Sequence, residues 1–346
     1  MTALQRLGAF DLAADSRWRR QRLLILCYHG ISLDDEHAWN NQLYMSAEAF
    51  EKRLEFLRDE GYQVLDLGEA VARLYKRDLP PRSAVITIDD GAYDCYARAF
   101  PILKRFGYPF TVYQTTYYCD YNRPIFRLIC SYMMWKKRGV VVDGRNLPGL
   151  DGEPGLDGKM DLRSSESRQS VLDQLDRYTK QHHSSASEKD EIASQLAERI
   201  GIDYGELRKT RVLHLMTPDE VGTLARAGVS IQLHTHRHRT PVDEPLFKRE
   251  IDDNRRRIEE MTGRTPTHFC YPSGVHQSQF LPWLSQEGVA TATTCLPALA
   301  SPASNPLLLP RLVDHSGLSM LEFASWGTGV RAFLPQRDQV AVDPNL

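Results

Sequence analysis

The chain has 346 residues, of which 42% are hydrophobic and 25% charged, and its formal net charge is -2 at pH 7. That balance suits a globular protein with one large domain or two small ones, and it argues against a general binder of nucleic acid. No stretch approaches the ~18 to 20 consecutive apolar residues that span a bilayer.

In chain order, Arg17-Trp-Arg-Arg-Gln-Arg22 leads into the apolar Leu23-Leu-Ile-Leu-Cys-Tyr28, a pairing that superficially looks like an export signal. The apolar run is short, begins late and passes into His29-Gly30 without a small-residue cleavage site, so it is expected to be the first core strand after an N-terminal segment, 1–22. Ser46 reads as the cap of a helix with Phe50, Leu54 and Leu57 on one stripe and Gly61 as its stop. A strand follows at 84–88, then helical spacing over 93–106 despite Pro101, then a strand at 110–115.

The strand-helix rhythm breaks between about 117 and 212. The stretch 143–161 is rich in Gly and Asp, with Gly149 and Gly158 bounding a brief Gly-x-x-Gly echo. Polar helices are expected at 167–181 and 188–200, the whole forming a mainly helical insertion packed on the main domain. Thr217-Pro-Asp-Glu220 then opens a helix that Gly228 stops, and a strand is expected at 229–234. A charged helix at 245–262 and strands at 268–271 and 289–294, separated by a helix at 280–287, complete the pattern. Residues 334–346 read as a loose tail. Repeated strand-helix units imply an α/β fold with a parallel sheet, either doubly wound or closed into a barrel.

In such folds chemistry gathers where strands finish. The candidate ends carry Tyr28-His29-Gly30, Asp89-Asp90-Gly91, His234-Thr-His-Arg-His238, Tyr271-Pro-Ser-Gly274 and Leu309-Pro-Arg311. Singly, an Asp-Asp-Gly is usually a turn or cap and a lone histidine usually a satisfied side chain. Jointly, two imidazoles four residues apart plus one carboxylate make a three-ligand divalent site with positions open for water. A cation would also relieve the repulsion between adjacent Asp89 and Asp90. The six cysteines (27, 95, 119, 130, 270 and 295) lack metal-knuckle spacing and read as reduced packing thiols of a cytoplasmic protein. Tyr93, Tyr96, Tyr113, Tyr117, Tyr118 and Tyr121 are candidates to line a sugar cleft or to fill core and rim, and Arg237 and Arg239 read as a solvated loop, with contact to an anionic substrate as the alternative.

"TIDDG" at 87–91, "HTHRH" at 234–238 and "FCYPSG" at 269–274, following an early "YHGI", resemble the polysaccharide deacetylase family, the NodB-homology carbohydrate esterases of carbohydrate esterase family 4. The resemblance covers about 23–330 apart from the insertion. It implies a distorted (β/α) barrel, a catalytic domain at 23–333, Asp89 as general base, and Asp90, His234 and His238 as ligands of one divalent metal. His236 receives no role. Zinc is the first expectation, and two imidazoles with a carboxylate also suit cobalt, nickel, manganese or iron.

The chain departs from the family pattern twice. The third motif has Cys270-Tyr-Pro-Ser273 where the family carries an arginine before its proline, so the Ser273 amide is assigned to the oxyanion and Arg311 to the missing cation. The late histidine that acts as general acid has no good match. His29 is the expected substitute, because relatives acting on poly-N-acetylglucosamine draw this group from an N-terminal Tyr-His segment, with His315 as the alternative.

The activity implied is hydrolysis of a linear amide bond, releasing acetyl groups from an N-acetylhexosamine-containing polysaccharide or glycoconjugate. Two other readings stand beside it: a small-amide or cyclic-imide hydrolase resembling allantoinase, and a catalytically silent glycan-binding protein. A cytoplasmic enzyme of this kind would meet nucleotide- or lipid-linked sugars, and the cluster from Arg17 to Arg22 is a candidate peripheral contact with an anionic membrane.

Overall fold

The computed structural model describes residues 9–149 and 159–333. Most of the Gly149 to Gly158 echo and the tail at 334–346 lie outside the described residues. Among the described residues no helix is long and apolar enough to cross a membrane. Among the described residues the contacts divide the chain into two compact units, one of residues 9–120 with 216–333 and one of residues 121–149 with 159–215.

The larger unit is built on eight strands: β1 (Leu24–Tyr28), β2 (Gln63–Val64), β3 (Ser83–Ile88), β4 (Thr111–Gln114), β5 (Ser230–Leu233), β6 (His268–Cys270), β7 (Thr291–Thr293) and β8 (Leu312–Val313). They run in the order β7-β6-β5-β4-β3-β1-β8, with β2 beside β3, and every pairing is parallel. Leu309 bridges Thr293 in parallel, and three residues later the same segment enters β8 against β1. That return curls the sheet, giving the barrel-like form.

The apolar run of β1 is buried at all five positions because each face meets a different apolar cluster. Leu24, Leu26 and Tyr28 pack with the helices around Phe50, Leu54 and Leu57, whereas Leu23 and Ile25 join Val85, Tyr113, Cys270 and Leu309. The two-residue period carries through β3, where Val85 belongs to the second cluster and Ile86 and Ile88 to the first. Asp89 is therefore in phase with Val85 and Thr87.

Around the sheet lie helices α1 (Ala47–Asp59), α2 (Leu67–Lys76) and α3 (Phe100–Phe106). Ser46 caps α1 by accepting from the Ala49 N–H. The spacing at 93–106 gives two pieces rather than one helix: a π-helical turn at Cys95–Ala99 precedes α3. The Phe100 N–H bonds back five residues to Cys95, and Pro101, which has no N–H, follows. Helix α2, capped by Asp66, falls where the periodicity had suggested no element.

The smaller unit contains α4 (Phe126–Lys136), a hairpin of Val141–Asp143 with Lys159–Asp161, α5 (Ser165–Gln181), α6 (Ala186–Ile200) and α7 (Tyr204–Thr210). Ile129, Met133, Leu172, Leu175, Ile192 and Leu196 are buried in it. Ser185 and Glu188 form a capping box at the start of α6, and Arg127 pairs with Asp176 at 2.9 Å.

The chain returns to the larger unit with α8 (Pro218–Arg226), α9 (Glu244–Thr262), α10 (Phe280–Gln286) and α11 (Met320–Thr328). Thr217 and Glu220 make the expected capping box on α8. Arg311 corrects the reading of its segment as a strand end, because it immediately precedes β8 and its long side chain brings the guanidinium to the strand ends.

Candidate active site

Asp89 and Asp90 are neighbours in sequence but are turned to different partners by the backbone. Asp89 continues the alternation of β3 and is 1% exposed, whereas Asp90 adopts a left-handed φ of 68° and Gly91 one of 77°. Asp tolerates that region better than most residues, and glycine is required next. A Cβ on Gly91 would stand 2.1 Å from the Gln114 side chain. The three-residue motif is thus a strand end, a re-aimed carboxylate and a turn without room for a side chain.

Asp90 Oδ1 lies 3.2 Å from both His234 Nε2 and His238 Nε2. His234 Nδ1 donates to the Cys270 carbonyl at 2.9 Å when it carries the ring proton, which leaves a lone pair on Nε2 facing the Asp90 oxygen. Two lone pairs at that separation repel unless a proton or a metal cation stands between them. The three donors meet that need as one mixed nitrogen and oxygen site, and such a set suits a divalent transition metal. Burial opposes charge on both groups, but His238 outweighs it to hold Asp90 well below the usual carboxylate range, and Asp90 in turn raises His238.

The histidine loop is held from beneath by two residues that sequence reasoning missed. Thr235 and His238 both have left-handed backbones, with φ of 59° and 54°. On α9, Asn254 accepts from the His234 N–H at 2.9 Å and donates to the Gln114 carbonyl and the Thr116 hydroxyl. One turn earlier, buried Glu250 accepts from the Arg237 N–H and pairs with the Arg237 and Arg239 guanidiniums. Arg239 remains largely exposed, as the solvated reading expects, while both arginines also hold buried Glu250. The signal was present in α9: Glu250 and Asn254 stand in phase with buried Phe247, Ile251 and Ile258, where an amphipathic helix otherwise places apolar residues.

Asp89 meets a different set of groups. Arg311 donates to both its oxygens at 2.7 Å, to Thr87 Oγ1 at 3.0 Å and to the Thr294 carbonyl at 3.0 Å. Burial would raise Asp89, but the Arg311 charge and its paired hydrogen bonds prevail and leave the carboxyl far below its ordinary value. His29 Nε2 lies 4.0 Å from Asp89 Oδ2, and burial lowers the imidazole against the opposing pull of Asp89 and Asp90. Cys27 Sγ and Cys270 Sγ approach the same oxygen at 3.4 and 3.3 Å, so Cys270 is more than packing. All six cysteines are free.

Ser273 occupies a left-handed position, φ 54°, in the turn Pro272–Gly274 that follows β6. It has no hydrogen bond to Asp89, Asp90, His234 or His238. His315 is engaged elsewhere, with Nδ1 near the Asn41 carbonyl and the Gly317 N–H. His236 pairs with the Thr116 hydroxyl at 2.8 Å, outside the three-donor set. Tyr113 is removed from the candidate cleft residues because it is fully buried beneath Arg311.

A family model described as polysaccharide deacetylase matches residues 165–292, a stretch that includes His234, His238 and the 270–274 turn but not Asp89 and Asp90. YxkH of Bacillus subtilis (strain 168), which carries the family's name, is 38% identical over 93 residues, or 27% of this chain and 31% of that protein. Over residues 165–292 the chain resembles the polysaccharide deacetylase family.

A further family relative is the poly-β-1,6-N-acetyl-D-glucosamine N-deacetylase of Escherichia coli (strain K12), 29% identical over 100 residues, 29% of this chain and 15% of that protein. The matched segment thus spans less than a third of either relative. Two solved structures show a similar fold. The Streptococcus pyogenes deacetylase PplD aligns over 91% of this chain and 99% of its own at TM-score 0.55 and 18% identity. IcaB from Ammonifex degensii aligns over 89% and 97% at TM-score 0.55 and 17% identity.

Proposed function

We propose that this chain is a metal-dependent hydrolase that removes N-acetyl groups from an N-acetylhexosamine-containing polysaccharide or glycoconjugate. The observation that carries the reading is the juxtaposition of two differently tuned carboxylates: Asp90 shared by two imidazoles, and Asp89 held ionised beside them by Arg311. The match to the polysaccharide deacetylase family model and the likeness to the E. coli N-deacetylase support the acetamide as the bond attacked.

Asp90, His234 and His238 would hold the metal. When bound, it supplies a lowered pKa for water and polarisation of the acetyl carbonyl. Asp89 accepts the water proton, and Arg311 fixes the direction of its lone pairs. His29 delivers a proton to the departing nitrogen. Its lowered pKa makes the imidazolium a stronger acid while reducing the fraction protonated at neutral pH. The Ser273 N–H is assigned to the developing oxyanion, on the support of its turn directly following the strand whose last carbonyl orients His234.

The test is acetate release from poly-N-acetylglucosamine and chitooligosaccharides by protein of measured metal content, with allantoin as the competing substrate. Release that disappears with chelator and returns with zinc or cobalt supports the reading. Allantoin turnover without acetate release overturns the substrate class, and metal binding without either activity overturns the enzyme.

A further inference from the structure

Beside the first donor set lies a second one that contains sulfur. Cys27 follows the inward phase of β1 and is fully buried, and its Sγ lies 3.4 Å from Asp89 Oδ2. His29 continues the same phase two residues later, with Nε2 4.0 Å from that oxygen. One ligand atom from each of the three lies within 4.8 Å of the others. Donors on a tetrahedral ion with bonds of about 2.0–2.3 Å stand roughly 3.3–3.8 Å apart, so a small contraction brings all three onto one cation.

Two further observations point to a ligand. His29 Nδ1 is buried without a hydrogen-bond partner among the described residues, so no acceptor commits the ring proton to either nitrogen. The donor set also combines a thiol with an imidazole and a carboxylate, which suits zinc or cadmium. The competing trio of Asp89, His234 and Cys270 shares an imidazole with the first site, so it cannot fill while that site is occupied.

We propose that Cys27, His29 and Asp89 form a second, weaker cation site for a thiophilic divalent metal, which blocks the proposed proton-transfer groups when metal exceeds one equivalent. The weakness has a stated cause: the Arg311 guanidinium stands 2.7 Å from the same carboxylate oxygen and repels an incoming cation. On binding, Cys27 releases its thiol proton to solvent and a sulfur–metal bond forms; no redox partner is needed. The inhibitory consequence rests on the roles given above to Asp89 and His29, whereas the binding itself does not.

The experiment is a cadmium titration of the intact protein followed by equilibrium dialysis and by the ultraviolet charge-transfer band of cadmium–thiolate bonds. The first site has no sulfur, so only the second produces the band. Wild type is expected to take a first equivalent without the band and a second with it. Cys27→Ser should keep the first equivalent and the acetate release measured at one equivalent, lose the band, and resist excess zinc. Its second equivalent should weaken by at least the roughly 10–100-fold that outer-sphere partners already cost.

Cys27→Ala serves as the second variant, and circular dichroism reports that each has folded. No band in wild type, or a band that survives both Cys27 substitutions, overturns the proposal. A band abolished by Cys270→Ser but not by Cys27→Ser assigns the metal to the competing trio and overturns it equally. His238→Ala combined with Cys270→Ser separates this proposal from the proposed function, because it should remove the first equivalent and the competing trio and leave the cadmium–sulfur band.

Discussion

Arg311 and Asp89, 222 residues apart in the chain, meet through two parallel hydrogen bonds of 2.7 Å with both side chains buried. The family's third motif carries its arginine next to the turn, and this chain has Cys270 there, whose Sγ lies 3.0 Å from the Arg311 guanidinium. A cation from a different segment thus reaches Asp89. Arg311→Met leaves a buried charge without its partner and should destabilise the fold by about 3–5 kcal/mol, read by urea denaturation. Arg311→Lys should recover part of the loss because it restores charge without the bidentate geometry.

The same pair sets a pH dependence with a definite sign. Asp89 is depressed in the folded protein, so its contribution to stability is present above its unfolded value of about 3.9 and is lost as pH falls through the folded value. In Arg311→Met burial is opposed only by the weaker pull of His234 and His29, so the carboxyl rises and the acid limb of kcat/KM moves to higher pH. Asp89→Asn should lower the rate by about 10²–10⁴-fold with metal content unchanged. An acid limb that stays in place in Arg311→Met would remove Asp89 from the role of base.

Chelation should abolish acetate release and lower Tm, since a metal held by the native site stabilises the fold in proportion to its occupancy. Asp90→Asn and His238→Ala should each bind less than one equivalent under conditions that saturate wild type. Affinity should fall as pH falls, because protons compete with the cation for the donor atoms and are released to solvent when it binds. Elemental analysis across pH checks this, and full loading of His238→Ala would rule out the three-donor assignment.

Much of this was legible from strand ends. A continuous apolar run that stops at His29, and another that stops at Asp89, follow from strands buried on both faces whose polar residues begin only where the sheet ends. Arg311 was legible as a candidate, but not its reach, since a side chain entering from before a strand leaves no periodic mark. The π-helical turn at Cys95–Ala99 escaped for a related reason: Pro101 signals a missing hydrogen bond without saying whether the chain kinks, stops or widens. Glu250 and Asn254 were hidden by their own helix, whose many charges disguise two polar residues on its buried face.

Those two residues make a separable prediction. Asn254→Ala removes three hydrogen bonds that tie the His234 backbone to the Gln114 and Thr116 segment, and Glu250→Gln weakens the clamp on Arg237 and Arg239. Both act through the metal loop, so metal affinity should fall on the order of 10–100-fold while kcat recovers toward wild type at saturating metal. A loss of kcat that excess metal does not repair, with affinity unchanged, would exclude a positioning role for them.

Gly91→Ala tests whether the turn after the aspartate pair is as constrained as its geometry demands. A side chain there faces two penalties: the left-handed φ of 77°, which costs of order 1–3 kcal/mol for a residue other than glycine, and a Cβ only 2.1 Å from Gln114. Gln114 cannot simply withdraw, because its Nε2 donates to the Thr115 carbonyl at 2.7 Å. The single variant should lose roughly 2–4 kcal/mol, combining the backbone and hydrogen-bond costs. Adding Gln114→Ala should remove the clash and leave the backbone part, so the double variant should be more stable than the single one. Equal stability of the two by urea denaturation would mean that the contact with Gln114 contributes nothing, and that the backbone angle alone demands glycine.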